Sequence, residues 1–167
     1  KNITQAYGTE LIFSDPMEGS DGAIRLCRKL VSENPDKYFY SDQYRNPSNP
    51  RAHYLGTGQE ILEQVGDEIT HFVTGLGTSG TCMGSSLVPE IYDASLPDEH
   101  MGIRTEDGWD MADRLAEEEG LHVGHSTGAN VYAAAQIAKR IGRGCVVTIA
   151  CDRGDRYFAP MRWEKHY

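Results

Sequence analysis

The chain has 167 residues, 25 of them acidic against 16 basic, for a net charge of −9, with 39% hydrophobic and 25% charged residues. That length allows one domain, or one and a fragment of another, with a sizeable core. That balance is neither strongly apolar nor that of an obviously disordered chain. No basic stripe is present to track a phosphate backbone, no run nears the roughly 20 apolar residues of a membrane helix, and no signal peptide is visible.

Short apolar runs alternate with helical stretches, which predicts an α/β fold. Residues 10–13 read as a strand. Ser20 is a plausible N-cap with Asp21 in the first turn, and Ala23, Cys27, Leu30 and Val31 recur at helical spacing until Asn34-Pro35. Residues 38–40 read as another strand, and Asn46-Pro47 with Asn49-Pro50 as a rigid loop. Thr57 and Glu60 fit a capping box ahead of Ile61, Leu62 and Val65, with Gly66 as the stop. Residues 69–74 predict a strand running straight into Gly75 and the glycine-rich stretch behind it.

Residues 82–102 read as a long loop without elements of its own, which counts against a complete fold. Thr105 caps a helix whose apolar face carries Trp109, Ala112, Leu115 and Ala116, and whose Glu117, Glu118 and Glu119 form a solvated side. Val131, Ala134, Ala135, Ala138 and Ile141 make another helical stripe, closed by Gly142. Residues 145–150 are continuously apolar, as in a parallel strand buried on both faces.

Two segments could carry chemistry. The first is Gly75-Leu76-Gly77-Thr78-Ser79-Gly80-Thr81. Its glycines let backbone N–H groups turn toward an anion, and its hydroxyls add donors, which suits a monophosphate. The letters match GxGxxG, but no second strand with an acidic residue completes a dinucleotide fold, and no lysine makes it a Walker loop. The second is Gly124-His125-Ser126-Thr127-Gly128, between a short strand and a helix. Ser126 or Thr127 is either an N-cap or a hydroxyl offered to a ligand, and the loose GxSxG match leaves a hydrolase open. His122 and His125 have no cysteine or acid at zinc-ligand spacing. His53 reads as a structural hydrogen-bonder and Trp109 as core. Cys27, Cys82, Cys145 and Cys151 form no CxxC pair and read as buried reduced thiols.

Taken together, several stretches resemble the cysteine synthase (O-acetylserine sulfhydrylase) family of pyridoxal-phosphate enzymes, nearest its cysteine synthase B branch and related cystathionine β-synthases. They are Asp42-Gln43-Tyr44-Arg45-Asn46-Pro47-Ser48-Asn49-Pro50, His53-Tyr54 with Thr57-Gly58-Gln59-Glu60-Ile61, the glycine-rich loop, Glu118-Glu119-Gly120, residues 123–129, and Cys151-Asp152-Arg153-Gly154-Asp155-Arg156-Tyr157. The resemblance implies the tryptophan synthase β-subunit-like fold (fold type II), three-layered with a parallel-rich sheet and mostly the large C-terminal domain. Residues 1–36 would be a remnant of the smaller domain and the crossover, and 37–167 the large cofactor-binding domain.

It implies that Gly77, Thr78, Ser79, Gly80 and Thr81 hold the phosphate of pyridoxal 5'-phosphate, Ser79 replacing a glycine. Ser126 would hydrogen-bond the pyridine nitrogen, and Gln43 would meet the substrate carboxylate. Residues 152–157 would pack near the ring end or form an Arg–Asp network.

The implied activity is β-replacement through an aminoacrylate: an activated serine (O-acetylserine or O-phosphoserine) and a sulfur donor give L-cysteine. Alternatives are a cystathionine β-synthase-like enzyme using homocysteine, or a non-catalytic cofactor-binding scaffold. The resemblance also implies a cytoplasmic homodimer with no nucleic-acid or membrane partner.

Three family features have no counterpart here: the motif with the Schiff-base lysine, the loop gripping the substrate carboxylate, and a stretch near residues 84–85. None of Lys1, Lys29, Lys37, Lys139 and Lys165 stands in the lysine's context. This chain by itself is therefore expected to have no catalytic residue and no activity.

Overall fold

The computed structural model describes residues 2–75 and 92–157. The chain divides into two compact units, Lys1–Asn46 and Pro47–Tyr167.

The first unit contains helix α1 (Asn2–Ala6) and helix α2 (Gly19–Glu33), with a 3₁₀ turn, Pro16–Glu18, between them. Asp15 caps that turn by accepting from the Met17 N–H at 2.9 Å. Helix α2 starts at Gly19 with Glu18 in the N-cap position and no side-chain cap, so Ser20 lies inside the helix instead of capping it. Its end falls as expected at Asn34, whose N–H returns to the carbonyls of Leu30 and Val31. Residues 10–13 and 38–40 are not strands. Such short runs form strands only where a partner supplies the ladder, and among the described residues none does.

In the second unit, helix α3 (Ser48–Leu55) occupies what the two Asn-Pro pairs suggested was loop. Pro50 fits because it falls in the first turn, where a helix has no use for the missing N–H. Helix α4 (Thr57–Gln64) has Gly56 as its N-cap and no capping box. The Thr57 hydroxyl pairs instead with His53 Nδ1 at 3.2 Å, which makes His53 a structural hydrogen-bonder. Gly66 stops α4 as expected: it follows the C-cap Val65 in the left-handed conformation, φ 57°, and opens a 3₁₀ turn (Gly66–Glu68) leading into strand β1 (Ile69–Val73).

Helix α5 (Thr105–Glu119) ends on Gly120 in the left-handed conformation, φ 67°. Helix α6 (His125–Ile141) ends on Gly142, φ 70°, and strand β2 (Cys145–Thr148) follows. The two strands pair in parallel, with Phe72 opposite Val147 and Val73 opposite Thr148. The Thr148 hydroxyl donates to the Val73 carbonyl at 2.7 Å and that of Thr70 to Cys145 at 3.0 Å.

Among the described residues the buried apolar side chains are Ala112 of α5 and Ala129, Ala133, Ala134 and Ile137 of α6. The buried face of α6 is therefore rotated from the expected stripe. Of that stripe only Ala134 is buried, while Ala138 is exposed. Small residues let α5 and α6 cross at close range, Gly128 lying against the backbone of Gly108 and Ala112. Trp109 is 37% exposed, so it is a rim residue and not core. Glu117, Glu118 and Glu119 are exposed as expected, Glu118 gripping Arg114 with both oxygens. Residues 92–104 reach α6 through a two-pronged pair between Glu99 and Arg140, 2.9 and 2.6 Å. Strand β2 is half-buried along its length, not buried on both faces. The thiols of Cys27, Cys145 and Cys151 are free, but Cys27 and Cys145 are half-buried and Cys151 is exposed, correcting the buried reading; Cys82 lies outside the described residues.

Candidate cofactor site

Parallel strands open a crevice at their carboxyl ends, where loops replace the ladder. Strand β1 leaves that edge through Thr74 and Gly75, and β2 leaves it through Ile149 and Ala150. The amino end of α6 joins the same edge through three fastenings. The Cys151 N–H donates to the Thr127 hydroxyl at 2.9 Å. The Asn130 amide donates to the Ile149 carbonyl at 3.0 Å and to Cys151 Sγ at 3.4 Å. The Gly124 N–H donates to the Asp152 carbonyl at 3.0 Å. Thr127 and Asn130 are 2% and 5% exposed, so each bond satisfies a group that water cannot reach.

Helix α6 has Gly124 as its N-cap with no side-chain cap, so neither Ser126 nor Thr127 caps it. Thr127 points to the loop after β2. Ser126 is half-buried in the first turn and makes no side-chain hydrogen bond to another described residue.

Beside it the His125 ring contacts those of Trp109 and Tyr157, both tilted, with centroids 5.3 and 4.8 Å away. Tyr157 in turn donates its hydroxyl to Asp152 Oδ2 at 2.5 Å. A short antiparallel bridge, Val123 to Arg153, and a bond from the Gly154 N–H to the His122 carbonyl at 3.1 Å hold the loop down. Gly124 is close enough to Asp152 and Tyr157 that a Cβ there would strike both side chains. Part of the expected Arg–Asp network exists, Arg153 donating to Asp155 at 2.9 Å.

The Tyr157 phenol is held above the ordinary tyrosine range, first by its bond to the Asp152 carboxylate, then by partial burial and by that carboxylate's charge. A raised folded-state value means that the contact's contribution to stability is complete below about pH 10 and is lost as pH rises through the raised value. The phenolate absorbance that Tyr157→Phe removes should accordingly appear at higher pH than that of free tyrosine, and Asp152→Asn should bring it down. A midpoint at or below about 10 would exclude the bond.

Of the residues expected at the site, Ser126 stands at this edge. Gln43 belongs to the first unit, on an exposed turn. Gly77, Thr78, Ser79, Gly80 and Thr81 lie outside the described residues. Lys139 is in the last turn of α6, thirteen residues from Ser126 and hence ~20 Å along the axis. The sequence reading overlooked Thr127 and Asn130 as fasteners. Their signal was present: two polar residues among the alanines and glycines of a helix.

The family described as "Pyridoxal-phosphate dependent enzyme" matches residues 1–88. The chain belongs to that family. It is 37% identical over 194 aligned residues to a cysteine synthase of Aquifex aeolicus, covering 94% of this chain and 59% of that protein. It is 36% identical over 196 residues to cysteine synthase B of Escherichia coli, covering 98% and 64%. The crystal structure of an O-acetylserine dependent cystathionine β-synthase from Helicobacter pylori superimposes with a TM-score of 0.81 at 28% identity, covering 94% of this chain and 64% of that one. The fold is that of the fold type II pyridoxal-phosphate enzymes.

The chain thus spans under two thirds of the length of these relatives. The 194 aligned residues also exceed the 167 of the chain, so the Aquifex protein has positions without a counterpart here.

The described residues fit the family's cofactor at its ring end. A pyridine nitrogen needs one hydrogen-bond partner, and Ser126 offers a half-buried hydroxyl with no competing bond among the described residues. The donor set is neutral there, because a serine cannot pass a full proton to the ring as a carboxylic acid could.

Proposed function

We propose that the protein from which this chain comes forms L-cysteine by β-replacement, taking an activated serine (O-acetylserine or O-phosphoserine) and a small sulfur donor. The observation carrying this reading is the likeness, over 94–98% of the chain, to proteins named cysteine synthase and cysteine synthase B.

Ser126 would hold the ring nitrogen of pyridoxal phosphate, and Gly77, Thr78, Ser79, Gly80 and Thr81 its phosphate. When bound, the cofactor supplies an electron sink for losing the serine ester's leaving group. A hydroxyl at Ser126 keeps that sink moderate, which suits elimination and addition at the β-carbon. Gln43 would bind the substrate carboxylate through its side-chain amide.

The lysine that bonds the cofactor covalently has no counterpart in this sequence, so we assign no catalytic residue to the chain and expect it to be inactive alone. Residues 1–36 are assigned to the smaller domain and the crossover, 37–167 to the large domain, and the unmatched positions of the relatives to a point near 84–85. A cytoplasmic homodimer completes the assignment, which size-exclusion chromatography with light scattering of the full-length protein tests.

The deciding experiment is a competition assay on the full-length protein with O-acetylserine, sulfide and homocysteine. Cysteine should dominate; cystathionine as the main product would replace this reading by the homocysteine-using one. In parallel, Ser126→Ala should weaken pyridoxal-phosphate binding up to about tenfold, the worth of one hydrogen bond. Unchanged affinity by fluorescence titration would remove Ser126 from the cofactor site.

A further inference from the structure

The turn that carries Gln43 is built in a strained way. Asp42 is the one non-glycine residue with positive φ among the described residues, at 39°. L-residues avoid this conformation, and aspartate is among the few that tolerate it. The turn is closed by local bonds. The Asp42 carbonyl accepts from the N–H groups of Arg45 and Asn46, both at 2.9 Å. The Asn46 amide donates to the Ser41 carbonyl, also at 2.9 Å.

These bonds close the turn but leave the Asp42 side chain unaccounted for. Its Oδ1 is shut off from solvent and has no hydrogen-bond partner, and Arg28 Nε on α2 is in the same condition. The two groups face each other, Arg28 Nη2 standing 3.7 Å from Asp42 Oδ1. A desolvated carboxylate oxygen needs an opposite charge or a donor, and at this position the guanidinium supplies the charge.

We infer that Arg28 is a positioning residue: its ion pair holds Asp42 in the left-handed conformation and thereby fixes the direction in which the next residue, Gln43, presents its amide to the substrate carboxylate. The inference rests on the reading of Gln43 given under Proposed function. The pairing is electrostatic more than geometric, since 3.7 Å exceeds hydrogen-bond length. A lysine at position 28 should therefore serve in part, whereas a neutral residue should not. Glycine at position 42 adopts a positive φ without strain, so it should make Arg28 dispensable.

The test uses the full-length holoenzyme and two readouts, KM for O-acetylserine and native-state hydrogen exchange of the Arg45 and Asn46 amides. Arg28→Ala should raise KM about tenfold with kcat within about threefold, and speed exchange at both amides about tenfold, the effect of losing roughly 1.4 kcal/mol. Arg28→Lys should recover most of both effects. In an Asp42→Gly background, Arg28→Ala should change neither. The inference is overturned if Arg28→Ala leaves KM and exchange unchanged, if it speeds exchange without moving KM while Gln43→Ala does move it, or if its effect survives in the Asp42→Gly background. Gln43→Ala with unchanged KM would retire the Gln43 contact alone, the exchange data still deciding whether Arg28 holds the turn.

Discussion

Gly128→Ala is expected to cost about 3 kcal/mol or more in urea denaturation of the second unit, the upper end of what overpacking a core costs. An added Cβ would run into the Gly108 carbonyl oxygen and stand 2.8 Å from Ala112 N and 2.9 Å from its Cβ. Two of these three atoms are backbone, so no side-chain rotation relieves the clash; α5 and α6 would have to separate. That pair supplies the core alanines, and domain stabilities are only about 5–15 kcal/mol. Gly108→Ala is the internal comparison. Its Cβ would meet Ala129 at 3.2–3.4 Å, which a shift of a few tenths of an ångström accommodates. A Gly128→Ala cost no greater than that of Gly108→Ala would mean that the helices do not cross as described.

Thr127→Val should cost about 1–3 kcal/mol, although it preserves volume. Valine retains the shape and removes the acceptor, so the Cys151 N–H loses its bond at 2.9 Å beside a residue that is 2% exposed. Thr127→Ser should keep most of the stability. Ser126→Ala, one position away, should be nearly neutral for stability, because that hydroxyl bonds to no other described residue. Denaturation curves for the three variants thus separate fastening from ligand contact on adjacent residues. Equal losses for Ser126→Ala and Thr127→Val would contradict the division of labour between them.

The sequence exposed most clearly what depends on local pattern. Helix α2, strand β1 and helices α5 and α6 follow from periodicity, and the ends of α2 and α6 from the stops at Asn34 and Gly142. The buried side of α6 did not follow, because alanines lie on several sides of this helix and methyl groups alone cannot orient it; contact with α5 decides. The expected capping box failed because His53, on the preceding helix, pairs with the hydroxyl it needed. Ser126 was legible as a small hydroxyl beside glycines, and Thr127 and Asn130 as polar residues in a helix of alanines and glycines. What these two fasten to was not legible, since their partners lie about twenty positions further on and periodicity carries no such information. Arg28 was equally hidden: its role appears only once α2 is placed against the turn at Asp42.

The fastening of α6 to residues beyond β2 also bears on biosynthesis. Thr127 and Cys151 are 24 residues apart, so at about 5–20 residues per second the ribosome makes the anchor a few seconds after the serine it helps to fix. During that interval the nascent polypeptide has the Ser126 hydroxyl but not the floor beneath it. If Ser126 meets the cofactor as proposed, loading must wait until residues 149–152 have left the exit tunnel.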